Sequence, residues 1–577
     1  MKRQNFWIQG IWIPRIWILC GLLMLTGTAV YATGGQQGAA SRGNAAATSA
    51  GPNAWKEKYA TPVTLTFGRD GVWHEWKNGE YFDNSVYSRY IKDTLNVDVK
   101  MAWIASSTRE RVTLAIASND LPDVMLVYNR LQLNQLFIGD MVADLTGLYD
   151  VYAGPVLKTM VDSFGGLKEG MYTTFYNGKQ LAMSDLNLGN QDQMFWVRED
   201  WRLKLRLPEP KTTADFIALA EAFVKNDMAG SKQTIGFEVN SGSMIAGSYN
   251  GVLSFDIFFN EVGAYPRVWH EDSSGKLVYG SVTPQAKEAL GVIRDMYSKG
   301  LIAKDFATRD TSASMASGYP GLIVGPWWSM GASLYTTVQN NPSAVWKPYS
   351  YVSSKDGKAH TVQQNYNGGW HVVRKGHPNP EALLKLLSLH AEFQSSNEAP
   401  TLTAEEKQKL NFSLPDSIFE AYLGQSGMDW GAWPTHLALR FNDHIIRQAN
   451  NLQTQLDQYR KGERNFPATE LNSFEMFVRY ENGDKSYDPQ FGYNNTYAKF
   501  LQAELSRNMV KKAAFYPSVT PTQEQRWANL TDMEILAYTR IIMGQEPLSY
   551  FDTFVREWNA QGGSRITDEV NQLYKAR

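Results

Sequence analysis

The chain has almost no thiol chemistry to offer: a single cysteine, Cys20, stands among 577 residues. That excludes a disulfide framework and any cysteine-based zinc cluster. Charge of one sign is equally scarce, because 56 basic residues face 58 acidic ones and leave a formal charge of −2. So balanced a chain has little means of wrapping a polyanion, and no nucleic acid partner is expected. Familiar catalytic signatures are missing too: there is no phosphate-cradling Walker loop, no His-Glu-x-x-His and no Gly-x-Ser-x-Gly. The histidines number eight, and the close pair His436 and His444 has no thiol to complete a metal site. No fixed-period repeat is present.

What is present is a chain able to bury a core, with 43% apolar and 20% charged residues. The length suits several domains or two large lobes. Of the 18 tryptophans, 15 lie beyond residue 50. Many aromatics without usable thiols point outside the cell, toward apolar, planar or sugar-like ligands.

Lys2, Arg3 and Arg15 precede an uncharged, mostly apolar run from Ile16 to Ala32 that ends in the small-residue pattern Val30-Tyr31-Ala32. This reads as a secretory signal peptide over 1–32, cleaved after Ala32. The alternative is a retained anchor, since 17 residues is the lower limit for spanning a bilayer. Cys20 does not read as a lipid attachment site: Trp17-Ile18-Leu19 is not a lipobox, and Cys20 lies early in the apolar run. Loss of Lys2, Arg3 and Arg15 with the leader would move the formal charge from −2 to −5. Apart from Arg42 and Pro52, residues 33–54 are Gly, Ala, Ser, Thr, Gln and Asn with almost no large apolar side chain, which predicts a flexible tether.

Beyond the tether, Val63 to Phe67 alternates with period two and predicts a strand, and Val97 to Trp103 a second. Tyr87, Tyr90, Ile91 and Leu95 fall between them at helical spacing, and Arg109 to Ala117 predicts a further helix before the apolar strand Val124 to Val127. Phe216, Leu219, Ala220 and Phe223 form a helical face after Pro210. Thr283-Pro284 opens another helix with a cap and a proline at its first position, and it ends at Lys299-Gly300. Gly321 to Val324 is a short strand broken by Gly325-Pro326 just before Trp327 and Trp328. Past residue 380 helices dominate, the last with Thr567 capping Asp568 to Lys575. Alternating helix and strand predict mainly parallel sheets covered on both faces.

Four segments resemble the extracellular solute-binding proteins of carbohydrate ABC importers, in the branch that includes Gram-positive proteins and alginate-oligosaccharide binders. They are Ala117 to Val124, with Asn119 where glycine is usual; Trp196 to Trp201 with Pro210-Lys-Thr212 and Asp215-Phe216; Gly300-Leu-Ile302 with Gly321 to Trp328; and Gly544 to Leu548 with Phe551-Asp552, Trp558, Gly562-Gly563 and Glu569-Val-Asn571. The resemblance implies an α/β, two-lobed periplasmic-binding-protein-like fold with hinge crossings and extra C-terminal helices. Its lobes would be 55–180 plus about 365–425 and 181–364 plus about 426–577. It also implies a monomer on the outer face of the cytoplasmic membrane. There it would capture an oligosaccharide in the cleft and pass it to permease subunits and a separate ATPase, with no cofactor and no catalysis.

Sugars present flat C–H faces to aromatic rings and hydroxyls to charged or amide side chains, and open α/β sheets hold ligands beyond their strands' carboxyl ends. Positions after predicted strands therefore nominate Asp70, Trp73 and Trp76, then Tyr128 and Asn129, then Trp327 and Trp328, one of which is expected to be core and the other ligand-facing. Tyr366 and Trp370 flank Gly368-Gly369, Trp430 and Trp433 share a loop, and Trp196 sits near the first lobe crossing. Arg198 and Asp200 read as a structural ion pair. Many members of the family carry a calcium loop where this chain has Asp227 to Gly236, but Ala229 and Gln233 replace carboxylates, so no metal is expected. The rival reading is a secreted glycoside hydrolase or polysaccharide lyase, for which Asp70, Glu75, Glu80 and Asp83 would supply the acid pair.

Overall fold

The computed structural model describes residues 51–575, apart from 52, 71–80, 82, 85, 106–107, 163, 187–191, 243, 246–251, 364–368, 398–444, 465, 467 and 516–518. All of them belong to the second of two compact units, Ser49–Arg577. The leader and most of the tether lie outside the described residues, and Ala54 and Trp55 are already buried in a short turn. In chain order the strands of the two main sheets are β1 (Val63–Asp70), β2 (Val97–Ala105), β3 (Val124–Val127), β4 (Met183–Ser184), β5 (Met194–Arg198), β6 (Ile235–Phe237), β7 (Pro320–Gly325), β8 (Trp346–Tyr349) and β9 (Trp370–Val373).

The first sheet has the order β2-β1-β3-β9-β4, and the second has the order β8-β5-β7-β6. Both are mixed where mainly parallel sheets were expected. β2, β1 and β3 run parallel, as do β7 and β6, because a helical connection follows each strand. β9 is antiparallel to β3, and β5 is antiparallel to β7, because these strands are entered from the other sheet rather than from a local crossover. Their registers make this explicit: β9 begins with Trp370 opposite Val127, the last residue of β3, and β5 begins with Met194 opposite Gly325, the last residue of β7. Both crossings therefore arrive at strand carboxyl ends. Met183 and Ser184 pair with β9, so the first sheet extends past the boundary expected at residue 180.

Side-chain alternation clothes each sheet on two faces. In β3 and β9, Val124 and Val373 join one core with Leu65, Phe67, Val97 and Leu383, while Met125, Val127 and Val372 join a second with Leu136. In the other sheet Phe195, Val197, Leu322 and Val324 face one core, and Met194, Trp196, Ile323 and Trp346 face the opposite one.

The helices follow their sequence signals closely at their starts. Thr212 caps Thr213–Lys225 in a reciprocal box with Asp215, and Thr283 caps Pro284–Ser298. The last helix differs from expectation: it begins at Ser564, and Thr567 sits inside it, its hydroxyl donating back to the Gly563 carbonyl at 2.9 Å. The kink before that helix explains Gly562-Gly563. Gly562 has φ 129°, and a Cβ on Gly563 would come within 2.0 Å of the Trp558 indole.

Candidate functional site

The carboxyl end of β3 and the start of β9 form one wall. Tyr128, directly after β3, is 37% exposed and lies against Gly369. Gly369 has φ +108°, and a Cβ there would fall 2.4 Å from a carboxyl oxygen of Asp185. The Asp185 N–H also donates to the Gly369 carbonyl at 2.9 Å, so the two crossing segments are tied together just outside the first sheet. Asn129 spends its side-chain oxygen capping the helix Arg130–Ile138, accepting from the N–H groups of Leu131 and Gln132 at 2.8 and 3.3 Å. Trp370 is buried rather than presented: its indole N–H donates to Thr173 Oγ1 at 2.9 Å, and the Arg130 guanidinium lies 5.5 Å from its ring centre. Burial lowers the Arg130 pKa to about 10.

The second wall is the turn after β7. Pro326 directs its carbonyl to two donors, Trp196 Nε1 at 3.2 Å and Ser329 Oγ at 2.7 Å, which pins the turn that carries Trp327 and Trp328. Both indoles are half-buried. Strand alternation stops at Gly325 and the two residues occupy a turn, in which Trp327 packs against the core that contains Met194 and Leu253. Lys499, on the helix Tyr487–Asn508, places its ammonium 4.6 Å from the Trp327 ring centre. Trp196 is a core residue, since alternation along β5 turns it to the face it shares with Trp346 and Ile323. Asp70 ends β1. Trp73, Trp76, Tyr366, Trp430 and Trp433 lie outside the described residues.

Beside the second wall is a polar group that sequence reading missed. Gln193, half-exposed on the crossing segment, donates from Nε2 to Asp256 Oδ2 at 3.2 Å and accepts from Ser254 Oγ at 3.0 Å. Ser254 and Asp256 look in sequence like the start of the short helix Asp256–Glu261, and nothing local ties them to residue 193. Next to Gln193, Asp192 is fully buried, which raises its pKa, and one of its carboxyl oxygens has no hydrogen-bond partner among the described residues. Arg198 and Asp200 form a two-point ion pair at 2.9 and 2.7 Å away from this surface, with the guanidinium 4.3 Å from the Trp201 ring centre.

In the segment that resembles a calcium loop, Asp227 accepts from the Lys232 N–H at 2.8 Å and the Thr234 hydroxyl at 2.9 Å. These bonds, the backbone one foremost, hold its carboxyl below the ordinary range. The oxygens a cation would need are thus engaged by the chain itself. Among the described residues no group of three or more His, Cys, Asp or Glu is placed to hold a metal ion.

No family model matches the chain. Lipoprotein LipO of Bacillus subtilis (strain 168) is 21% identical over 511 residues, covering 86% of this chain and 89% of LipO. The fructooligosaccharide ABC transporter substrate-binding protein FusA of Streptococcus pneumoniae serotype 4 (strain ATCC BAA-334 / TIGR4) is 27% identical over 248 residues, covering 41% of this chain and 44% of FusA. A FusA structure in complex with fructo-nystose superposes with a TM-score of 0.58 at 18% identity, covering 89% of this chain and 99% of that one. The alginate-binding protein AlgQ2, solved without calcium ion, gives a TM-score of 0.57 at 15% identity, covering 90% and 99%. FusA is named as an ABC-transporter substrate-binding protein and AlgQ2 as an alginate-binding protein, and the chain shares the two-lobed α/β fold of their structures. Both are binding proteins rather than enzymes. No helix of the described residues is long and apolar enough to cross a membrane.

Proposed function

We propose that the chain is the extracellular substrate-binding subunit of an ABC importer, which captures an oligosaccharide between its two sheets and delivers it to separate permease and ATPase subunits. One observation carries the reading: both crossings enter their sheets at strand carboxyl ends, where Tyr128 on one side and Trp327 and Trp328 on the other offer partly exposed rings. FusA is named for fructooligosaccharides and AlgQ2 for alginate, which supports an oligosaccharide as the ligand class. On this reading the protein is not an enzyme, acts as a monomer and works outside the cytoplasmic membrane after cleavage at Ala32. Closure about the crossings would bring the two walls together on the sugar.

Incubation with a panel of oligosaccharides tests it. A ligand should quench tryptophan fluorescence saturably and raise the melting temperature by mass action, with no new reducing ends. Accumulating products would favour a hydrolase or lyase, and a panel without any binder would overturn the reading.

A further inference from the structure

Gln193 is placed to choose among sugars. Its chain neighbour Met194 pairs with Gly325, two residues before Trp327, and the Leu253 N–H donates to Val324 at 2.9 Å, which brings Ser254 and Asp256 to the same strand end. A primary amide carries two donor hydrogens and an oxygen with two lone pairs. Asp256 takes one hydrogen and the Ser254 hydroxyl takes one lone pair. A carboxylate only accepts, so it fixes the amide nitrogen on the Asp256 side and the oxygen on the Ser254 side. Asp256 and Ser254 are themselves buried, so the half-exposed amide between them is held in one orientation.

Among the described residues Gln193 makes only those two bonds. One donor and one acceptor therefore remain side by side. A sugar hydroxyl both donates and accepts, so a pair of neighbouring hydroxyls satisfies both groups at once. The carboxylate of a uronic acid offers acceptors alone. It would leave the amide oxygen unmatched and bring a negative charge toward Asp256. We infer that Gln193 is a ligand-contacting residue that selects a neutral, hydroxyl-bearing oligosaccharide over a uronate. The inference rests on the oligosaccharide-binding reading above. Lys499 beside Trp327, and Lys511 close enough to Asp192 to act on its charge, would favour a uronate instead, so the comparison is made directly.

Titration calorimetry would compare the wild type with Gln193→Ala and Gln193→Glu. The probes are neutral fructo-, xylo- and manno-oligosaccharides on one side and tri-galacturonate and tri-guluronate on the other. The wild type should bind a neutral probe and not the uronates. Both variants should weaken that binding about tenfold or more, the loss expected for one or more hydrogen bonds; because each also takes a partner from the buried Asp256 and Ser254, affinities are compared well below each variant's own unliganded melting temperature. Uronate binding as tight as or tighter than neutral binding in the wild type would overturn the inference while leaving the oligosaccharide reading in place. So would a Gln193→Ala protein that keeps full affinity for the neutral probe. Failure of the wild type to bind any probe would overturn both.

Discussion

The outer edge of the second sheet is protected by two amides, and their removal has a calculable effect. β8 is an edge strand, and Trp346 pairs with Arg198 in a register that turns its own N–H and C=O outward. Gln490 and Asn494, one turn apart on the helix Tyr487–Asn508 and both fully buried, meet those groups. Gln490 Oε1 accepts from the Trp346 N–H at 2.8 Å, and Asn494 Nδ2 donates to the Trp346 carbonyl at 2.7 Å. Gln490 Nε2 also donates to the Ala344 carbonyl at 3.0 Å. Gln490→Leu leaves two backbone groups buried without partners, which costs roughly 2–6 kcal/mol at about 1–3 kcal/mol per group. Asn494→Leu strands one group and should cost about 1–3 kcal/mol. Both act on Trp346, so the double variant should fall short of the sum. Urea unfolding followed by tryptophan fluorescence measures all three. The same helix carries Lys499, so a loosened edge should also weaken glycan affinity. Single variants within about 0.5 kcal/mol of the wild type would refute the assignment of these amides as edge caps.

Three further outcomes follow from the geometry. Trp327→Ala and Trp328→Ala should each weaken glycan binding by about 1–3 kcal/mol in calorimetry, because both residues are only partly buried, and Trp327→Ala should also lower stability because Trp327 packs against the Met194 core. Addition of a chelator should leave the melting temperature unchanged, since Asp227 is satisfied by Lys232 and Thr234; a fall restored by calcium would contradict this. His390 is fully buried on Ala382–Asn397, and burial with His371 nearby depresses its pKa to about 3. The unfolded chain then binds the proton that the folded chain refuses, so stability is lost as pH falls below about 6.5, at up to about 1.4 kcal/mol per pH unit. His390→Gln should flatten that decline in melts between neutral pH and pH 5.

The strands were legible because period-two alternation and short apolar runs are local signals: Val63 to Phe67 shows the first, Val124 to Val127 and Gly321 to Val324 the second, and all lie within strands of the main sheets. The cap at Thr283 was legible for the same reason. Thr567 shows where that logic stops. A threonine before an acidic residue looks like a cap, but Gly562 kinks the chain, and the helix already begins at Ser564. Strand direction was hidden because β4, β5 and β9 take their orientation from the crossings, and a crossing joins residues nearly two hundred apart, as Asp185 and Gly369 show.

The site was harder to read for a related reason: a tryptophan near a strand end is a candidate only until its face is known. Alternation alone was enough to bury Trp196, since it lies two residues from Met194 and shares its side of β5. Trp370 opens β9 opposite the carboxyl end of β3, yet its contacts with Thr173 and Arg130 draw the ring inward. Trp327 and Trp328 escape because Pro326 ends the pleat and commits its carbonyl to Trp196 and Ser329. The core tryptophan of β5 thus holds the turn that exposes the other two. On this argument the loss of the indole N–H at Trp196, in Trp196→Phe, should disturb ligand binding through the turn as well as stability through the core. A variant that lost stability alone would show that Ser329 suffices to hold Pro326.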